Sequence, residues 1–228
     1  VWINAAPRGS IETHRDYSIS ADIYGVDIYP VPYPSDHSGL ADKGLTSVGK
    51  YTARMHEACS SRKPIWMVLQ AFAWGAWTNM PRNQLIYPDL RQSRFVAYDA
   101  VIAGANGISY WGAATVERKD FADIIYQVCR ELSQLSGLFV RPELEIPITS
   151  DNPHIKLKGW KYNGNDFIIA INHSEKQKRA KIGSLTQKQS LSVSGENRSV
   201  NIENGFITDS FKPYDVHVYC GGPPPPPP

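Results

Sequence analysis

The sequence predicts an α/β fold with a parallel sheet, followed by a small all-β antiparallel domain. Three observations carry this. Within residues 1–142 four apolar strands are each followed by a loop and a helical pattern, the alternation that makes βαβ units. The dipeptide Asn163-Gly164 sits between two segments of period-2 alternation, which is the signature of a tight hairpin. After Arg141-Pro142 the helical period disappears and short strands follow one another, separated by Gly, Asn and Ser.

Taken in order, VWINAAP (1–7) leads to a polar stretch ending near Ser20, and DIYGVDIYPVP (22–32) leads to a helical segment from Val48 to Arg62. PIWMVLQAF (64–72) leads to a helix starting near Asp89, where Asp89 and Gln92 have capping-box spacing and Phe95, Val96 and Ala100 supply an apolar face. GISYWGA (107–113) leads to a helix from about Arg118 to Ser136, in which Phe121, Ile124, Ile125, Val128, Leu132 and Leu135 recur at three and four residues. Gly137 stands where a left-handed C-terminal cap is expected. Beyond residue 143, HIKLKGWKY and DFIIAINH form the expected hairpin, and RAKIG, SLSV, SVNIE, GFITDSF and VHVYC read as further strands. The terminal Gly-Gly and six prolines, 221–228, are expected to be an exposed, disordered polyproline II tail.

Composition narrows the partners. Of 228 residues 42% are hydrophobic, enough to bury a sizeable core, and no apolar run approaches the roughly 20 residues of a membrane span, so a soluble chain is expected. The 24 basic and 22 acidic residues are intermixed and leave a net charge of +2, without the basic stripe that nucleic acid requires. Neither nucleic acid nor membrane is an expected partner. Cys59, Cys129 and Cys220 are too scattered for a disulfide framework, and the six histidines are equally dispersed, so neither a metal nor an organic cofactor is expected. The opening Val1-Trp2-Ile3-Asn4 has neither methionine nor leader and reads as a fragment or processed product.

Two features favour a (β/α)8 barrel over an open doubly wound sheet. No glycine-rich turn of the G-x-G-x-x-G kind follows any strand, so the phosphate cradle of a nucleotide fold is missing. The loops after the strands, above all AWGAWTNMPRNQLIYP (73–88) and VPYPSDHSGLADKGL (31–45), are long and aromatic, and barrels carry their sites on such loops. ADIYGVDIYPVP, KPIWMVLQAFAW, RFVAYDAVIAGANGISYWG and the late PYDVHVY resemble the second half of a glycoside hydrolase TIM barrel of the large retaining superfamily, with a C-terminal β-domain. More narrowly, they resemble bacterial glycoside hydrolase-like proteins in which a segment like RFVAYDAVIAGANGI forms the seventh helix and eighth strand. The resemblance implies that residues 1–142 supply barrel strands five to eight and 143–220 a β-sandwich. It also implies a missing N-terminal half-barrel, in cis or in trans, and an exported protein, extracellular or periplasmic.

Strand alternation selects the candidate site residues. Gly25, Asp27 and Tyr29 share one face of their strand, and Trp66, Val68, Gln70 and Phe72 share one face of the next. With those faces inward, Asp27, Gln70 and Trp111 emerge at the C-terminal mouth of the barrel. Retaining glycosidases use two carboxyl groups roughly 5 Å apart. The resemblance implies that these end strands four and seven. Strand four is absent from this chain, and the residue nearest the strand-seven position is Gln70, whose amide cannot form a glycosyl ester. Gln70 is expected to hold ligand hydroxyls, with a structural network role and a place beside the true nucleophile left open. Asp27 is the candidate catalytic carboxylate, as general base or hydroxyl clamp, against a buried ion pair with Arg8 or Arg15. Glu117 is an outside candidate, more readily read as a solvated loop residue or helix cap.

Trp74, Trp77 and Trp111 offer flat faces for pyranose C–H groups, while Asn4, Arg8 and Tyr29 are further expected ligand contacts. Trp2 and Trp66 are assigned to core packing. Trp160 and Tyr162 read either as a sugar platform or as the buried face of a strand. The expected ligand is a carbohydrate. The expected activity is hydrolysis of O-glycosidic bonds in a poly- or oligosaccharide, and the alternative is a carbohydrate-binding or scaffold protein that has lost catalysis.

Overall fold

Strands β1 (Trp2–Ala5), β2 (Ile23–Asp27), β3 (Ile65–Gln70) and β4 (Gly107–Trp111) form a parallel sheet in that order in the computed structural model of the chain. The structure describes residues 1–32, 40–116, 118–142, 147–185 and 190–228, with the side chain of residue 115 excepted. Helices α1 (Ile11–Ile19), α2 (Ser47–Ala58) and α3 (Leu90–Ile102) connect the strands, and α4 (Lys119–Phe139) follows the last one. Each helix start has a local cause. Ser10 accepts the Thr13 N–H at the head of α1. Asp89 and Gln92 close a reciprocal capping box at the head of α3, as their spacing predicts. The buried carboxylate of Asp99, on α3, accepts the Gly49 N–H in the first turn of α2, at 2.8 Å.

The two faces of the parallel sheet differ. Tyr24, Val26, Ile65, Met67 and Leu69 are buried on one face, where α2 and α3 pack on β2 and β3. The opposite face carries Trp2, Trp66 and Trp111, which are 50%, 36% and 59% exposed. The assignment of Trp2 and Trp66 to the core is therefore corrected. Their rings lie 6.2 Å apart on the open face, above Gly25, which pairs with Asn4 on one side and Trp66 on the other. A Cβ at Gly25 would stand 2.6 Å from the Trp2 indole nitrogen, and one at Gly107 the same distance from that of Trp66. The two glycines clear the space in which the tryptophans lie across the strands.

The later part of the chain holds two antiparallel sheets. One contains β6 (Ile155–Tyr162), β7 (Asn165–Asn172), β9 (Ser190–Val193), β10 (Arg198–Asn201) and β12 (Val216–Cys220), in the order β10-β9-β12-β7-β6. The other contains β5 (Thr149–Ser150), β8 (Lys178–Gly183) and β11 (Ile207–Phe211), in the order β11-β8-β5. Asn163 and Gly164 both have positive φ, 48° and 78°, and close the β6–β7 hairpin with the turn their pairing predicts. Residues from both sheets, including Ile168, Ala170, Ala180, Ile182, Leu191, Val193 and Phe211, share one apolar cluster. Trp160 is buried against Phe139 of α4, with ring centroids 5.6 Å apart, which places it in packing rather than on a platform.

The chain divides into two units, 1–127 and 128–228, and the division falls inside α4, ahead of the boundary expected near residue 142. Two expectations about this region are corrected. Gly137 does not cap the helix; α4 continues to Phe139, because buried Leu138 and the ring of Phe139 have tertiary partners that outweigh glycine's poor helix propensity. The proline tail is not free: Pro225 is buried, and the backbone of Pro225 and Pro226 runs beside Gly137, where the absent side chain leaves room.

Candidate functional site

The C-terminal ends of the parallel strands open into a cleft of about 630 Å³. Six of the residues selected from the sequence line it: Asn4, Asp27, Tyr29, Trp74, Trp77 and Trp111. Phe72 and Thr78 complete the lining, and sequence reasoning did not choose them. Phe72 was legible, since strand alternation already put it on the same face as Gln70; Thr78 follows a 3-10 turn (Trp74–Trp77) that no sequence signal announces.

The aromatic wall is a connected cluster. Phe72 lies 5.0 Å from Tyr29, 4.9 Å from Trp74 and 4.3 Å from Trp77, measured between ring centroids, with edge-to-face or tilted geometry throughout. The Trp74 indole N–H donates to the Tyr29 carbonyl at 3.2 Å, which pins the 3-10 turn to the end of β2. Trp77 and Trp111 leave much of their surface to solvent, so their faces remain available to a ligand.

Asp27 ends β2 half-buried at the floor of the cleft. Its neighbour Tyr29 is hydrogen-bonded to it, and the phenol is held protonated well above its ordinary pKa, first by burial and then by the charge and hydrogen bond of Asp27. Among the described residues no ion pair joins Asp27 to Arg8 or Arg15, so the carboxylate is neutralised by neither of the arginines considered for it. Glu117 lies outside the described residues.

Gln70 and Arg8 are not part of the lining. Gln70 is 5% exposed, and its amide is spent on main chain: Oε1 accepts the Val31 N–H at 2.9 Å, while Nε2 donates to the carbonyls of Val31 and of Phe72, the latter at 3.0 Å. It is a bracket that ties the start of the loop after β2 to the end of β3. Of the three roles left open for it, the structural network is the one these bonds describe. Arg8 is exposed on the loop after β1.

Among the described residues no cluster of three or more His, Cys, Asp or Glu side chains is arranged to hold a metal ion. No helix among them is long and apolar enough to cross a membrane. The chemical inventory of the cleft is thus one carboxylate, one amide, one hydroxyl and a wall of aromatic faces, which suits a hydroxylated ring compound with apolar faces.

No protein-family model and no curated protein matches the sequence. Solved structures do match its fold. A candidate alpha-galactosidase from Bacteroides fragilis superposes with a TM-score of 0.57 at 11% identity, over 96% of this chain and 46% of its own. AmyP in complex with maltotriose gives 0.54 at 10% identity, over 89% of this chain and 56% of its own, and AmyP with maltose gives 0.53 at 9%, over 98% and 64%. The fold is glycoside hydrolase-like. At such identities the likeness speaks for the backbone alone. The chain spans less than two thirds of each of these glycoside hydrolase-like neighbours.

Proposed function

We propose that this chain is the C-terminal half of a (β/α)8 barrel with a following β-sandwich, and that the completed barrel hydrolyses O-glycosidic bonds of a poly- or oligosaccharide outside the cytoplasm. In this reading residues 1–142 are strands five to eight and their helices, and 143–220 are the sandwich. The observation that carries it is the cleft itself: Asp27 and Asn4 stand beside Phe72, Trp74, Trp77 and Trp111 at the C-terminal ends of parallel strands, where barrels place their chemistry. Support for a missing half comes from the open face bearing Trp2 and Trp66, and from β1 and β4, each hydrogen-bonded to one neighbour only within this sheet. A preceding half-barrel, in the same chain or another, covers that face and supplies the acid/base carboxylate.

Asp27 serves as the carboxylate of this half, as general base or hydroxyl clamp, and Tyr29 keeps it oriented. The test is hydrolysis of a glycan panel by the protein with its preceding sequence, wild type against Asp27→Asn. Loss of turnover with binding retained supports a catalytic Asp27; turnover unchanged by the substitution removes it from the mechanism.

A second reading is favoured by Gln70. Its amide occupies the strand end nearest the expected nucleophile and is bonded to backbone, so the position offers a retaining mechanism no group. A barrel with that departure binds sugar without cleaving it. Oligosaccharide binding by titration calorimetry, with no product from any glycan and no carboxylate ending the strand two before β1, decides for this alternative.

A further inference from the structure

A second recess, of about 460 Å³, lies in the antiparallel unit. Ala180 and Ile182 of β8 point into the shared core, so by alternation Arg179 and Lys181 project from the other side of the strand, and Thr208 of β11, paired with Lys181, joins them. The far wall comes from Asn201 at the end of β10 and from the turn that follows. There Glu203 and Phe206 exchange backbone hydrogen bonds of 2.8 and 3.0 Å around Asn204 and Gly205, both with positive φ. That tight turn fixes the directions of Glu203 and Asn204. The Phe206 ring seats over Gly183, and the Lys181 ammonium stands 4.1 Å from the ring centroid. One cation is therefore held in place by an aromatic face, and the guanidinium of Arg179 projects beside it on the same strand. Among the described residues neither has a carboxylate partner.

We propose that this recess binds an acidic sugar unit, a uronate within an oligosaccharide, with its carboxylate on Arg179 and Lys181 and its hydroxyls on Asn201, Asn204, Thr208 and Glu203. Two unpaired cations two residues apart match one carboxylate. The neutral amides and hydroxyl match sugar hydroxyls, which both donate and accept. The volume suits a sugar unit rather than a lone inorganic anion. Glu203, an acceptor that carries negative charge, opposes a densely charged polyanion such as a nucleic acid. The inference does not rest on the cleft at the parallel strands and survives if that cleft proves inactive.

The test is calorimetric titration of the whole chain with a uronic-acid trisaccharide and with the neutral trisaccharide of the same linkage. The acidic sugar is expected to bind, the neutral one at least about tenfold more weakly. Arg179→Ala combined with Lys181→Ala is expected to weaken uronate binding by about tenfold or more while leaving Tm unchanged, since both side chains are exposed. Trp74→Ala, which alters the other cleft, is expected to leave it intact. The proposal is overturned by equal binding of the two sugars, by an unaffected double variant, by loss of binding in Trp74→Ala, or by competition from inorganic sulfate or a short oligonucleotide as strong as from the uronate itself.

Discussion

Trp74 and Gln70 stand four residues apart at the end of β3 and have opposite consequences when truncated. Trp74 contributes ring surface to the cleft, so Trp74→Ala is expected to weaken oligosaccharide binding by about 1–3 kcal/mol, measured by titration, from lost stacking. Gln70→Ala instead leaves buried main-chain groups of Val31 and Phe72 without their partner, and is expected to cost about 1–3 kcal/mol of folding stability by denaturant titration. His217 provides a third case at this scale. Its buried imidazole faces Asp209 at 3.1 Å, Asp215 at 3.3 Å and Glu196 at 3.6 Å, with Arg198 at 3.3 Å and Tyr219 at 3.1 Å on the same ring, and the carboxylates outweigh burial and raise it from 6.5 to about 8. A raised histidine contributes stability that is fully present below pH 6.5 and is lost as pH rises through 8. The unfolding free energy is therefore expected to fall by about 2 kcal/mol across that window. His217→Gln is expected to flatten the slope, and a wild-type profile already flat between pH 6 and 9 contradicts the assignment. Asp209 and Asp215, both held below the usual carboxylate range by hydrogen bonds that include His217, act in the opposite sense, losing their contribution as the medium becomes acidic.

Elements vary in how far their own residues define them. The start of α3 is local: Asp89 and Gln92 carry the capping box in their spacing, and Asp89→Ala is expected to cost about 1 kcal/mol. The centre of β2 is not local. Nothing in IYGVD announces that Gly25 lies under two tryptophans from flanking strands, yet Gly25→Ala would press a methyl group against Trp2 and Asn4, with the Ile3 carbonyl 3.1 Å away. Overpacking of this kind is expected to destabilise by about 1–3 kcal/mol, read from the shift in denaturant midpoint. The end of α4 shows the same division. Gly137 has the local signature of a cap, and the partners of Leu138 and Phe139 carry the helix past it.

At the level of the molecule, the division at residue 127 changes what is expected of isolated segments. A segment from 128 to 228 keeps Leu135, Leu138 and Phe139 with the β-sheets and is expected to melt cooperatively, whereas 143–220 loses the aromatic partner of Trp160 and is expected to melt at a lower temperature. Residues 1–140 alone leave an open, tryptophan-bearing face and two sheet edges, and are expected to aggregate or stay molten. Circular-dichroism melts of the three segments test this, and a cooperative, monomeric melt of 1–140 would contradict the half-barrel proposal.

Period and punctuation in the sequence were enough to determine the alternation of strands and helices, the Asn163-Gly164 hairpin, the Asp89 cap and the change from parallel to antiparallel texture, because each is a short-range preference written within a few residues. Six of the eight candidate cleft residues were legible for the same reason: strand alternation and loop position say which side chains emerge at one end of a parallel sheet. Only the tertiary structure decided what those side chains do. Gln70 and Asp27 look alike in sequence, each a polar residue closing an apolar strand, yet one amide is satisfied by the backbone of a loop 39 residues away while the other group faces the open cleft. Trp2, Trp66 and Trp160 are likewise equivalent as letters, and the first two lie on an open face while the third is buried. Whether a polar group is paired or an aromatic ring covered depends on segments distant in the chain, and no local period encodes that.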